Sequence, residues 1–237
     1  MTGFSQRLDD VTARIQRACE QSDRDPAGIR LLAVSKRHSL ASVQAAIAAG
    51  QLEFGENFVQ EALGKIEATA DTGARWHFIG HLQSNKTALA ATHFDWVHTV
   101  DRLKIARRLS DQRSVHAPPL QVCIQVRLGD EASKSGAAPA AVGELAAAVA
   151  ELPRVTLRGL MTIPPPSDDP AVQRDYFRTL RELQENLIDD GLTLDTLSMG
   201  MSADLEAAIA EGATLVRIGT ALFGPRPAAR TGLPARG

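Results

Sequence analysis

A lysine that ends a short apolar run is the first residue of this chain whose position suggests chemistry. The run extends from Leu31 to Ser35, and Lys36 follows it directly. Because side chains alternate along a strand, Lys36 shares a side with Leu32 and Val34. If that side is buried, the ammonium is partly shielded from water, its pKa falls, and the neutral amine can attack an aldehyde. A structural lysine that reaches from a strand end to water is the alternative, and position alone favours it.

Two segments near the C-terminus have residues suited to an anion. Ser202 precedes the helical pattern ADLEAAIAEG, and Gly219 and Thr220 follow the apolar run from Leu215 to Ile218. Helix N-termini, hydroxyl groups and small residues that expose backbone N–H groups bind phosphate well. Ser202 as a simple helix cap and Gly219 as a turn glycine explain the same residues equally well. Spacing alone leaves the phosphate site and the structural interpretation open.

Arg217 lies two residues before Gly219 and, by strand alternation, shares a face with Leu215. A buried guanidinium needs an acceptor because it has only donors. A ring nitrogen or a carboxylate of a ligand would serve.

The elements that must position these residues follow a regular alternation of short apolar runs and helical patterns. After a first helix over Ser5 to Gln21, the runs predict eight strands: Leu31 to Ser35, Leu52 to Phe54, Trp76 to Ile79, Trp96 to His98, Leu120 to Val126, Leu157 to Thr162, Thr196 to Met199 and Leu215 to Ile218. Eight strand and helix pairs in a chain of 237 residues favour a single (β/α)8 barrel, a TIM barrel of the α/β class with an extra N-terminal helix, over an open doubly wound sheet.

Polar residues that precede helical patterns predict where four of these helices begin. Ser39, Asn57, Asp101 and Ser202 are the expected N-caps, and Gln60 stands three residues after Asn57 as in a capping box. In a barrel of this kind the C-terminal ends of the strands meet at one face. Lys36, Arg217 and the candidate anion-binding residues are therefore expected on that face.

Composition limits the possible partners. The chain is 44% hydrophobic and 23% charged with a formal net charge of -2, which gives no overall field to attract nucleic acid or an anionic membrane. The N-terminus has no apolar signal core and no apolar stretch is long enough to span a bilayer. The two cysteines, Cys19 and Cys123, are not in a metal-binding spacing. We therefore expect a cytoplasmic protein that binds a small molecule.

Two further candidates are weaker. His77 and His81 would stand about 13 Å apart on one strand, too far to share a metal ion. Arg127 and Lys134 are consistent either with an anion-binding loop or with ordinary surface charge. No metal site is expected.

Eight ordered motifs together resemble those of the pyridoxal phosphate homeostasis proteins, a family whose barrel is similar to the N-terminal barrel of alanine racemases. The motifs extend over nearly the whole chain: AVSK at 33 to 36, FGENFVQE at 54 to 61, WHFIGHLQSNK at 76 to 86, VD at 100 and 101, IQV and SKSG between 124 and 136, RGLMTIP at 158 to 164, LSMGMSADLEAAI at 197 to 209 and VRIGTALFGPR at 216 to 226. Arg127-Leu128-Gly129 departs from the family pattern, which leaves the loop after the fifth strand and the role of Lys134 least defined.

The resemblance implies a site for pyridoxal 5'-phosphate (PLP). It implies that Lys36 holds PLP as a covalent aldimine, that Arg217 faces the pyridine nitrogen and that Asn57 lies close to the ring. The remaining implied cofactor-binding residues are in the two loops after the last strands: Met201, Ser202, Gly219 and Thr220. An arginine there does not favour a protonated pyridinium, the electron sink that carbanion chemistry uses.

The resemblance also implies a carrier or buffer of PLP in intracellular vitamin B6 homeostasis, without strong catalytic activity. Racemases of the related fold place a tyrosine base opposite the lysine, whereas the single tyrosine here, Tyr176, is in a predicted helix. A racemase-like amino-acid enzyme is the main alternative, and a Schiff-base aldolase is another. The expected partners are PLP, other B6 vitamers and, transiently, PLP-dependent apo-enzymes, with the protein itself a monomer. Residues 1–226 are expected to form the barrel and 227–237 a loose tail.

Overall fold

A computed structural model describes residues 3–129 and 135–225 of the chain. Eight parallel strands form a closed barrel in which each strand pairs with the next and the last pairs with the first. The strands are β1 (Arg30–Val34), β2 (Glu53–Glu56), β3 (Arg75–Phe78), β4 (Trp96–Val100), β5 (Leu120–Gln125), β6 (Val155–Met161), β7 (Thr196–Ser198) and β8 (Leu215–Ile218). The prediction of a TIM barrel is confirmed, and each predicted strand overlaps an observed one.

Helices surround the barrel and connect successive strands. The α-helices of the described residues are α1 (Phe4–Gln21), α2 (Leu40–Ala48), α3 (Val59–Ala68), α4 (Thr87–His93), α5 (Leu103–Gln112), α6 (Val142–Ala150), α7 (Pro170–Asp189), α8 (Leu205–Ala210) and α9 (Thr220–Phe223). The predicted extra helix is α1, which precedes the first strand and packs against α8 and α9.

Alternation along each strand separates two hydrophobic layers. Ala33 belongs to the large cluster between the strands and the helices. Leu32, Val34, Ile79 and Leu215 form a separate cluster inside the barrel. The face that we predicted for Lys36, shared with Leu32 and Val34, is therefore the interior face of β1.

The helix starts were predicted less well than the strands. The Ser39 hydroxyl accepts the N–H of Ser42, so this N-cap is confirmed. The other three N-caps are wrong, because α3, α5 and α8 begin after Phe58, Arg102 and Asp204, each one or two residues beyond the predicted cap, and none of these helices has a side-chain cap. The polar residues predicted as caps therefore have other contacts. Asn57 and Ser202 lie in loops that belong to the candidate site.

Two predicted segments lie outside the described residues. Lys134 is in the gap between residues 129 and 135, and the predicted tail, 227–237, follows the last described residue. Arg127 is described, and its backbone N–H donates to the carbonyl of Ala137 at 2.9 Å. None of the helices in residues 3–129 and 135–225 combines the length and the apolar character needed to cross a membrane.

Candidate functional site

Barrel closure brings the first and the last strand together. Strands β1 and β8 are neighbours, with Leu32 opposite Arg217 and Ala33 opposite Ile218. The next residue of the last strand, Gly219, lies so close to β1 that a Cβ atom there would stand 3.5 Å from the carbonyl oxygen of Val34. Lys36 follows Val34 by two residues, so it lies at the same end of the barrel as the Gly219 and Thr220 backbone.

The residue before Lys36 is fixed by a buried ion pair. Lys65 Nζ lies 2.7 Å from Glu56 Oε1, and both side chains are almost fully buried. The same carboxylate oxygen accepts the Ser35 hydroxyl at 2.6 Å, while Lys65 Nζ donates to the Ser35 carbonyl at 3.0 Å. Ser35 is thus hydrogen-bonded through both its side chain and its backbone.

The residue after Lys36 is fixed by the same helix that carries Lys65. Glu61 Oε1 accepts the backbone N–H of Arg37 at 2.5 Å and also accepts from Lys65 at 3.0 Å. Arg37 has a φ of 63°, a left-handed conformation that is uncommon for residues other than glycine. Hydrogen bonds on both sides of Lys36 therefore hold the turn in this conformation.

The second oxygen of Glu56 is buried and has no hydrogen-bond partner among the described residues. Burial raises the pKa of Glu56, and the hydrogen bonds from Lys65 and Ser35 only partly oppose it. This carboxylate depends strongly on Lys65 for its charge. Sequence reasoning missed the cluster, although the acidic residue at the end of β2 and the Glu61-Lys65 spacing of four residues were visible signals.

Asn57 does not cap a helix, and its side-chain oxygen is available to a ligand. Among the described residues, Asn57 Oδ1 is a buried atom without a hydrogen-bond partner. The residue lines two adjoining cavities at the C-terminal end of the barrel, which also share Gly80 and His81. Buried polar atoms normally have partners, so an unsatisfied one that lines a cavity is suited to ligand binding.

Gly80 is required for the position of Asn57. A Cβ atom at Gly80 would stand 2.0 Å from the backbone oxygen of Asn57, a distance that no side chain can adopt. The glycine therefore allows the loops after β2 and β3 to pack together.

Replacing Gly80 by alanine should destabilise the protein by about 1 to 3 kcal/mol, because the new methyl group forces the two loops apart. The measurement is urea unfolding followed by circular dichroism. Gly64 is the matched control, since it is exposed in α3 and nothing lies within 4 Å of its Cβ position. Gly64→Ala should instead stabilise by about 0.5 to 1 kcal/mol through helix propensity. Equal effects at the two positions would contradict this account of Gly80.

Arg217 is 3% exposed and is held by the ends of β6 and β7. Its Nη1 donates to the carbonyl and the hydroxyl of Ser198 at 2.6 and 3.0 Å, and its Nη2 donates to the Thr162 carbonyl at 2.8 Å. Burial lowers the pKa of Arg217 to about 10, although Asp204 opposes the shift, so the group stays cationic at neutral pH. A guanidinium has five N–H groups, and Arg217 donates three hydrogen bonds to the described residues. The others can donate to a ligand.

The loop after β8 presents backbone N–H groups. The helix α9 begins at Thr220, and the amides of Gly219 and Thr220 have no backbone acceptor among the described residues. Such N–H groups at a helix start favour an anion.

The loop after β7 is tied to the N-terminal helix. Arg14 donates to the Ser202 carbonyl at 2.7 Å and pairs with Glu206 at 2.5 Å, so α1 supports this loop. The backbone N–H of Met201 is already donated to Asp204 Oδ1 at 2.5 Å. Met201 itself is 37% exposed and Ser202 is partly buried. A ligand at this loop could therefore bond to the Ser202 hydroxyl, whereas Met201 could contribute only its side chain, because its N–H is already used.

The two histidines of the WHFIGH motif have separate surroundings. His77 is fully buried in the barrel, whereas His81 is exposed and its Nδ1 lies 3.0 Å from the Ser135 hydroxyl. In the part of the chain that the structure describes, no group of three His, Cys, Asp or Glu side chains is arranged to hold a metal ion.

Comparison with known proteins gives the class of the barrel. The family model described as alanine racemase, N-terminal domain, matches residues 7–227. An alanine racemase of Clostridium difficile superposes with a TM-score of 0.76 over 95% of this chain and 60% of the racemase, at 13% identity, which supports the shared fold alone. The class is therefore the alanine racemase N-terminal domain barrel.

More similar proteins define the family within this class. The pyridoxal phosphate homeostasis protein of Pseudomonas aeruginosa is 58% identical over 226 residues, 95% of this chain and 97% of the relative. PipY of Synechococcus elongatus, solved with PLP bound, is 37% identical with a TM-score of 0.82, over 93% of this chain and all of PipY. The chain belongs to the pyridoxal phosphate homeostasis protein family, as its sequence motifs predicted.

Proposed function

We propose that this protein binds pyridoxal 5'-phosphate as a Schiff base on Lys36 and carries or buffers the cofactor in PLP homeostasis, without strong catalytic activity. The observation that carries the proposal is the adjacency of β1 and β8. This adjacency supports a single site, because the backbone of Lys36, Arg217 and the amides of Gly219 and Thr220 belong to these two strands or to the residues that follow them.

The residues present fit the chemical groups of PLP. The Gly219 and Thr220 amides and the Ser202 hydroxyl suit the phosphate, and the remaining N–H groups of Arg217 suit the pyridine nitrogen. The unpartnered Asn57 Oδ1 suits a donor on the ring, and Met201 would complete the pocket. Bound PLP supplies an aldehyde for the lysine and, when its ring is protonated, a sink for electrons.

Arg217 favours storage over catalysis. A guanidinium with its pKa at about 10 donates hydrogen bonds and does not accept them at neutral pH. It therefore stabilises an unprotonated pyridine nitrogen, which is the weaker electron sink. Tyr176 is half-buried on α7 and packs against the large cluster outside the barrel, so it gives no support for a base at Lys36.

The proposal also covers other ligands, the transfer of the cofactor and the assembly state. We infer that B6 vitamers with the same ring and phosphate bind there, that transfer takes place in transient contact with PLP-dependent apo-enzymes in the cytoplasm, and that one copy of the chain suffices.

Borohydride reduction of PLP-loaded protein, followed by peptide mapping, tests the attachment. A reduced pyridoxyl group is expected on the peptide that contains Lys36. Attachment to another lysine, or none, would falsify the proposed site.

Incubation of the loaded protein with amino acids in deuterated water tests the absence of strong catalysis. Little exchange of Cα protons is expected because the ring nitrogen is not protonated. Exchange at the turnover of an enzyme would favour the racemase-like alternative.

A further inference from the structure

A continuous chain of hydrogen bonds crosses the barrel interior and ends at Arg217. Glu53 Oε2 lies 2.5 Å from His77 Nε2, and His77 Nδ1 lies 2.9 Å from His98 Nε2. His98 Nδ1 lies 2.8 Å from the Ser198 hydroxyl, which accepts from Arg217 at 3.0 Å. The bond between His98 and Ser198 links β4 to β7 across the barrel.

His77 and His98, the two histidines of this hydrogen-bond chain, are expected to be uncharged at neutral pH. Burial lowers the pKa of His77, although its bond to Glu53 opposes the shift. Burial also holds the pKa of His98 well below its ordinary value, and His77 and Arg217 act in the same direction. A neutral imidazole has one N–H donor and one acceptor nitrogen, so each ring must pass a hydrogen bond in a single direction.

The charged groups at the two ends determine that direction. Burial would raise the pKa of Glu53, but the His77 bond and the nearby Arg75 and Arg30 outweigh it and the pKa falls. The Glu53 carboxylate therefore only accepts, which places the proton of His77 on Nε2. His77 Nδ1 must then accept from His98.

The same reasoning continues from His98 to the cation. Because His98 donates through Nε2, its Nδ1 accepts the Ser198 hydroxyl proton. The Ser198 oxygen is then left to accept from Arg217. All the bonds thus point from the arginine towards Glu53, at the opposite end of the barrel.

We propose that Glu53, His77, His98 and Ser198 are positioning residues for Arg217, and that their one-way hydrogen-bond chain fixes the orientation of the guanidinium towards the ligand. Arg217 also bonds to two backbone carbonyls, but these carbonyls do not connect it to a carboxylate through the barrel interior. From another side, Asp204 in the loop before α8 acts on Arg217 and raises its pKa. The consequence for PLP rests on the proposed function, whereas the chain itself is a property of the protein without ligand.

Long-range 1H–15N NMR spectra of the ligand-free protein test the chain directly. Neutral His77 and His98 with protons on Nε2 are expected. A proton on His98 Nδ1, or a charged ring at either position, would overturn the proposal. Glu53→Gln keeps an acceptor oxygen and should preserve both tautomers, whereas Glu53→Leu removes the acceptor and should give mixed tautomers at His77. Unchanged His77 signals in Glu53→Leu would equally count against the chain.

PLP titration of Ser198→Ala tests the effect on the ligand. The variant keeps the backbone bonds of Arg217 but breaks the link to His98, so PLP affinity should fall about tenfold and the visible absorption of the bound cofactor should shift. Ser110→Ala is the matched control, because Ser110 is also fully buried but lies on α5 and bonds to Arg154. Affinity and absorption as in the unaltered protein would overturn the positioning role.

A failure of the unaltered protein to bind PLP would overturn the proposed function instead. The NMR measurement on the ligand-free protein would still decide whether the hydrogen-bond chain exists.

Discussion

Replacing Lys36 by alanine should abolish covalent attachment of PLP, because the amine that we propose to form the Schiff base, just after the end of β1 and beside β8, is then lost. The visible absorption of the loaded protein should disappear. Mass spectrometry after borohydride reduction should find no pyridoxyl adduct. The protein should still fold, since the hydrogen bonds of the Ser35 hydroxyl and the Arg37 N–H on either side of position 36 are kept.

Two other lysines make this experiment specific. Lys104 is exposed on α5, so Lys104→Ala should retain the full adduct. Lys65 is the competing amine, since its Nζ lies 3.0 Å from the Ser35 carbonyl. Its Nζ is bonded to Glu56, Glu61 and the Ser35 carbonyl and its side chain is almost fully buried, so an aldehyde has little access to this amine. An adduct that moves to Lys65 in Lys36→Ala would show that the ion pair does not suppress its reactivity.

Replacing Lys65 by methionine should destabilise the protein by about 3 to 5 kcal/mol, because the Glu56 carboxylate is left buried without a counter-charge. Urea unfolding measures the effect. Lys104→Met is the matched control, an exposed lysine whose loss should cost less than about 0.5 kcal/mol. A similar small effect at Lys65 would show that the buried pair contributes little.

The loss in Lys65→Met should depend on pH. Burial raises the pKa of Glu56, so the folded state binds a proton more strongly than the unfolded state, and stability increases as the pH falls through the folded pKa. Removing Lys65 strengthens this effect because one group that lowers the pKa is gone. The destabilisation should therefore be largest at neutral pH and smaller in acid. The double variant Glu56→Gln with Lys65→Met should recover much of the loss at neutral pH, because no buried charge remains.

The barrel could be predicted from the sequence because strand patterns are local. Alternation of Leu32, Ala33 and Val34 determines which face of β1 is interior, and the structure confirms that Leu32 and Val34 lie on that face. The helix starts at Asn57 and Ser202 were wrong for a physical reason. A polar residue before a helical pattern can either cap the helix or line a site, and local sequence does not distinguish the two.

The interior hydrogen-bond chain could not be predicted in the same way. His98 and Ser198 are separated by 100 residues, and their contact depends on the register of strands around the closed barrel. The Glu56–Lys65 pair needed the packing angle of α3 on β2. Periodicity indicates which residues are buried, but not which buried polar groups meet.

The pairing of β1 with β8 also has a consequence during synthesis on the ribosome. Lys36 is among the first residues of the barrel to emerge, while Arg217, Gly219 and Thr220 are among the last. An incomplete nascent chain therefore has the lysine without the cation and the amides that we propose to bind the ring and the phosphate of the ligand. A ligand could bind at this site only after the barrel has closed. A ligand that binds only the closed barrel would then stabilise the folded state by mass action.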